Sequence, residues 1–78
     1  IKDIDTARFT IYPNPCNDFF NIEKIDNEVQ YFELVDSKGT VVKTIYSIDL
    51  NTLVNLTDIT YGQYILKCSQ GQQKILIH

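Results

Sequence analysis

Residues 28–46 read EVQYFELVDSKGTVVKTIY, and the spacing of apolar side chains within this stretch decides the fold. Phe32 and Leu34 share one side of an extended chain, while Tyr31, Glu33 and Val35 share the other. A period of two marks a strand with one buried face, whereas a helix repeats every ~3.6 residues. The run ends in Asp36-Ser37-Lys38-Gly39, with Asp first and Gly fourth in a type I turn. There the carboxylate accepts from nearby backbone amides and glycine takes up positive φ. TVVKTIY, residues 40–46, then returns as the second strand of a hairpin.

The same alternation, closed by turn signals, continues outward in both directions. Phe9–Tyr12 makes a first strand, stopped by Pro13, and residues 18–23 make a second with Phe20 and Ile22 on one face. Beyond the hairpin, residues 53–56 form a short strand. Residues 62–69 alternate Tyr64, Leu66 and Cys68 against Gln63, Ile65 and Lys67, which points Cys68 inward as a small apolar residue. Gly71 then turns the chain into a last strand at residues 74–78. No stretch of ten or more residues keeps apolar positions at helical spacing, and no internal repeat is visible. Seven short strands in 78 residues predict an all-β fold, an Ig-like antiparallel β-sandwich with next to no helix. A chain of this length holds one core. Residues 9–78 are therefore expected to form one domain, and the polar residues 1–8, IKDIDTAR, the end of an interdomain linker.

Between the first two strands stands Tyr12-Pro13-Asn14-Pro15. Each proline holds φ near about −65°, donates no backbone hydrogen bond and pushes the residue before it into extended geometry. Such a segment belongs neither in a central strand nor in a helix. It is expected to be a stiff, solvated elbow at the edge of a sheet.

Seven Lys and Arg against ten Asp and Glu leave a net charge of −3, and the cations at 2, 8, 24, 38, 43, 67 and 74 are scattered. Nucleic-acid binding, which needs clustered cations, is set aside. No apolar run approaches the roughly 20 residues of a membrane-spanning helix. The chain starts at Ile1 without a leader, so it is expected to be a piece of a larger protein.

Nothing resembles a catalytic constellation. The single histidine, His78, is the last residue, poorly placed for a base or a metal ligand, and there is neither a Cys-x-x-Cys nor a Gly-rich loop opening a helix. Asp3 and Asp5 with Asp18 are the carboxylates a calcium ion would recruit; they are read as solvated surface groups. The sequon Asn55-Leu56-Thr57 is read as chance. The expectation is a non-enzyme without cofactor or metal. Cys16 and Cys68 fit either one disulfide or two thiols. Tyr64 lies four residues before Cys68 and there is no tryptophan, so an antibody-type disulfide is not expected.

In chain order, Tyr12-Pro13-Asn14-Pro15, then Asp36 and Gly39, then Leu56, Ile59, Gly62 and Tyr64, and last Lys74 with Ile75 to Ile77 form a combined pattern. It resembles the type A C-terminal sorting domain of the type IX (Por) secretion system, found on cargo proteins of the Bacteroidetes. The resemblance covers nearly the whole chain from about Phe9. Family members commonly carry Leu where Ile59 stands, and many end in a basic residue where this chain ends Leu76-Ile77-His78.

The resemblance implies a non-catalytic module fused behind an N-terminal cargo whose own signal peptide leads it into the periplasm. The module would then dock on the outer-membrane translocon and be removed by a sortase-like surface protease cutting before about Phe9. The cargo would finish at the cell surface or in the medium. The elbow and the last strand, with Lys74, are expected to be the surface that is recognised. An exposed terminal edge strand offers unpaired amides and carbonyls for strand addition, by a partner or in an edge-strand dimer. At the level of fold, Gly39 and Gly62 serve turn geometry, and Tyr64 fills core while its hydroxyl caps a loop. The competing reading is an accessory sandwich that binds carbohydrate or protein at the cell surface, with Tyr12, Phe19, Tyr31, Tyr46 and Tyr61 as stacking aromatics.

Overall fold

A computed structural model describes residues 9–25, 28–69 and 71–78. The linker expected at residues 1–8, and with it Asp3 and Asp5, lies outside the described residues. Seven strands follow in order: β1 (Phe9–Tyr12), β2 (Phe19–Lys24), β3 (Gln30–Asp36), β4 (Val41–Ser47), β5 (Asn51–Asn55), β6 (Gly62–Cys68) and β7 (Gly71–Ile77). They form two sheets, ordered β1-β2-β5 and β4-β3-β6-β7, with every strand pair antiparallel. This is the expected all-β sandwich. Relative to a constant-type immunoglobulin domain, the fourth strand has moved from the sheet of the first two strands to that of the third.

Two strands begin earlier than their apolar residues announce. β7 starts at Gly71, because Gln72 and Gln73 pair with Lys67 and Leu66 in a ladder continuous from the turn. β5 starts at Asn51, because Asn51 and Thr52 face Glu23 and Ile22 of β2. In both cases cross-strand pairing recruits polar residues that carry no apolar alternation, and Asn51 and Gly71 do so against a low β-propensity of their own.

The core lies between the sheets, where Phe20 and Ile22 of β2 meet Phe32 and Leu34 of β3, Leu66 of β6, and Ile75 and Ile77 of β7. Phe9 and Phe32 pack edge to face, with ring centroids 5.0 Å apart and planes at 84°. The 36–39 turn forms as its residue types require: Gly39 N–H donates to Asp36 O at 3.0 Å, and Gly39 has φ +88°. The register slips between Leu34 and Val35, so Val42 sits as an extra residue between Val41 and Lys43. Such a bulge strengthens the local twist of the hairpin.

Among the described residues, one cation is buried. Lys24, only 6% exposed, donates through Nζ to Glu28 O and to Ser47 O, the latter at 3.1 Å. Its backbone N–H donates to Leu50 O at 2.8 Å, which fastens the β4–β5 crossing to the neighbouring sheet. Buried charge persists only where such acceptors surround it.

Phe32→Ala, which empties the centre of the core, is expected to cost about 3–5 kcal/mol, most of the stability of so small a domain. Urea unfolding followed by far-UV circular dichroism would then show little or no folded baseline. Gly39→Ala meets no atom within 4 Å, so only its left-handed φ resists; the expected loss is about 1–2 kcal/mol in the same assay.

Candidate recognition surface

Pro13 ends β1, and the chain then leaves the three-stranded sheet for the outer edge of β7 in the other sheet. Both peptide bonds into the prolines, Tyr12–Pro13 and Asn14–Pro15, are cis. Residues 12–15 are all exposed, as a solvated elbow should be. Past the second proline, Cys16 pairs with Ile77 in a parallel bridge: Cys16 N–H donates to Leu76 O at 2.9 Å and His78 N–H donates to Cys16 O at 2.8 Å.

Asn14 continues this pairing with its side chain. Its Nδ2 donates to Lys74 O at 3.0 Å and its Oδ1 accepts from Leu76 N–H at 3.3 Å. A carboxamide presents one donor face and one acceptor face, as a peptide unit does. Asn14 therefore stands in for one residue of a missing neighbour strand. The expectation of an open terminal edge needs correction on this point: Lys74 O, Leu76 N and O, and His78 N already have partners. The elbow and the last strand are bonded into a single surface.

Beside that surface, the outer face of the four-stranded sheet forms a groove of about 560 Å³. Its lining includes Asn14, Asp36, Gly39, Tyr64, Lys74 and Ile75, which together with Leu76 are seven of the fourteen pattern residues, drawn from four separate stretches of chain. Its floor holds Val35 and Ile65. Val35 is only 8% exposed although it points away from the core, because Val41 and Ile65 flank it in the ladders. Sequence reasoning missed the groove. The adjacent apolar pair Leu34-Val35, which breaks a clean alternation, was the available signal that both faces are covered there.

The other pattern residues shape the corner between β5 and β6. Leu56 is buried and its N–H donates to Asp18 O at 2.8 Å, while Ile59 N–H closes a turn on Leu56 O at 2.9 Å and its side chain packs against the core. Tyr64 is buried, and its hydroxyl donates to Thr60 O at 2.7 Å, holding the loop down. Gly62 has φ +152° and opens β6 opposite Ile77. Asp36 Oδ1 accepts from Lys38 N–H and Thr40 N–H, both at 2.9 Å, and so braces the turn at the groove's other rim.

The disulfide left open between Cys16 and Cys68 is not made; both are thiols. The register explains why. Cys16 lies opposite Ile77 and Cys68 opposite Gly71, at opposite ends of β7, a separation of about 20 Å along a strand where a disulfide spans at most about 7 Å between Cα atoms. Cys16 is buried under the elbow with Sγ 3.7 Å from Leu76 O, and burial pushes its thiol pKa up. Among the described residues no group of three or more His, Cys, Asp or Glu is placed to hold a metal ion. Tyr31 and Tyr46 form an exposed pair with ring planes at 65°, an edge-on arrangement that offers no flat platform to a sugar ring.

Asp36→Ala removes the oxygen that accepts both turn bonds and is expected to cost about 1–2 kcal/mol, while Asp36→Asn, which keeps an acceptor, should lose clearly less in urea unfolding. Mild oxidation followed by intact mass measurement should return no species with an intramolecular disulfide, since no such bridge is within reach.

The family model described as "Secretion system C-terminal sorting domain" matches residues 10–78. No curated protein and no solved structure matches the chain. With the family pattern spread over the elbow, the braced turn, the β5–β6 corner and the last strand, the chain belongs to the family of type IX secretion C-terminal sorting domains.

Proposed function

We propose that this domain is a non-catalytic export label, recognised through the composite surface made by the elbow, β7 and the adjoining groove. Family membership makes the domain a type IX sorting signal fused to a cargo and directed to the cell surface or medium. The finer reading is that the fused cargo transits the periplasm and that the outer-membrane translocon engages this surface. A sortase-like surface protease then cuts before about Phe9, within a linker formed by residues 1–8. The observation that carries this reading is the bonding of Asn14 to Lys74 and Leu76 across more than half the chain, which makes the two ends of the family pattern one physical object. Lys74 is exposed there and adds a cation at the rim of an otherwise mostly apolar groove.

A reporter carrying a secretory signal peptide and fused ahead of residues 1–78 tests the proposal in a type IX-competent bacterium and in a secretion-defective control. Export only in the competent strain is expected. Lys74→Glu should lower export several-fold while leaving far-UV circular dichroism and melting unchanged, because an exposed side chain contributes little to stability. Periplasmic retention of the folded, intact wild-type fusion in both strains would overturn the reading.

A further inference from the structure

Phe9, the first residue of β1, pairs with Lys24 at the end of β2, and its carbonyl accepts from the Gln73 side chain near the start of β7. The chain therefore enters the domain at the pole where β2 connects to β3, β4 to β5 and β6 to β7, while His78 lies at the other pole beside the elbow. Lys24 fastens two of these connections, donating through Nζ to Glu28 O and Ser47 O and through its N–H to Leu50 O. At this entry pole the outer face of the β3–β4 hairpin is apolar and uncovered. Tyr31 and Tyr46 stand directly opposite each other, with ring centroids 6.1 Å apart. Val29 and Ile48 lie two residues further along the same two chains, so the period of two sets them on the same face, and the register through Gln30 and Ser47 sets them side by side. All four side chains are more than half exposed. Exposed apolar residues that stand singly need no explanation, but four in a contiguous patch mark a contact surface. The recognition surface does not account for them, because none of the fourteen pattern residues falls in this patch or in the connections around it.

We infer that the face made by Val29, Tyr31, Tyr46 and Ile48 docks the cargo fused ahead of this domain, through a cargo surface that is apolar and bordered by lysine or arginine. The point of entry names the occupant. Family membership places a cargo upstream of Phe9, and residues 1–8, which span at most about 29 Å when fully extended, hold what precedes them beside this pole. A tether that short gives an effective concentration on the order of millimolar, at which a contact too weak to form between separate molecules is largely made. Charge selects the border. Among the described residues, the exposed charged side chains at the end of β2 and in these connections are Glu23, Glu28 and Asp49, whereas the cation of this pole, Lys24, is buried. A patch outside the family pattern suits a partner particular to this chain, as its own cargo is. The inference rests on the fusion to a cargo and not on the surface proposed for the translocon at β7, so export is not its readout.

Hydroxyl-radical footprinting read by mass spectrometry compares the full chain, cargo attached, with residues 1–78 alone. Tyr61, 80% exposed in the connection between β5 and β6 at the opposite pole, is the internal reference. Tyr31 and Tyr46 should oxidise at least about threefold more slowly in the full chain, as a face docked most of the time implies, with Tyr61 unchanged. Ile48→Glu, which sets an acid in the patch, should restore the faster oxidation in the full chain. Its circular dichroism and melting should match the wild type, because the side chain is exposed. This variant also serves as the undocked comparator if residues 1–78 do not fold alone. Equal oxidation of Tyr31 and Tyr46 with and without the cargo, or in the full chain with and without Ile48→Glu, would overturn the docking face. Slowing of Tyr61 to the same degree would overturn it too, since the cargo would then shield the domain without choosing a face. Oxidation of the isolated domain that slows with rising concentration, together with a dimer in sedimentation velocity, would assign the face to a second copy instead.

Discussion

Two open sheets leave four strand edges, and along β7 the chain closes its own edge by bringing the elbow that follows its first strand across the sandwich. The pairing of Asn14 and Cys16 with Lys74, Leu76 and His78 is the constraint on which the rest depends. It ties the start of the domain to its end, joins the two sheets along the side where β1 and β7 are neighbours, and covers the thiol of Cys16. On the far side the same task falls to the β4–β5 crossing, where Lys24 of β2 donates through Nζ to Ser47 O of β4 in the other sheet. Between these two closures the apolar residues need only fill space. A domain this small buries a modest share of its surface, and edge closure limits how readily that thin margin is lost to local opening.

In the proposed reading, recognition follows from the rigidity of the frame. The pattern residues divide into those that shape the frame and those that face outward from it. Tyr64, Leu56, Ile59 and Gly62 hold the β5–β6 corner and set the start of β6, against which β7 pairs. Asp36 and Gly39 hold the hairpin that forms one rim of the groove. Asn14 and Lys74 occupy the opposite side. A folded label of this kind presents backbone and side-chain features at fixed separations, which a linear signal cannot do.

Much of the fold was legible because its causes are local. Phe32 and Leu34 alternate against Tyr31 and Glu33, and Asp36 with Gly39 dictates a turn, so the central hairpin follows from sequence spacing alone. The elbow was legible as an edge feature for the same reason, since two prolines forbid anything else. What stayed hidden is non-local. The recruitment of Gln72, Gln73 and Asn51 into strands depends on the partners that they face, not on an apolar alternation of their own. Lys24 is one of seven scattered cations in the sequence, and only the arrival of Glu28 O and Ser47 O makes its burial tolerable. The thiols were left undecided until the register of β7 placed them at opposite ends of a strand. The family pattern marked both Asn14 and Lys74, but as separate signals; their contact spans 60 positions, and no local rule reports it.

Amide hydrogen exchange, resolved residue by residue by nuclear magnetic resonance, tests the central claim most directly. If the elbow covers the edge of β7, the Leu76 and His78 amides should be protected well beyond that of Gln72, which points to the same side but lies beyond the elbow's reach. Exchange at Leu76 and His78 as fast as at Gln72, with the amides that pair β6 to β7 still protected, would mean that the edge is open and that the elbow and the last strand are not one surface.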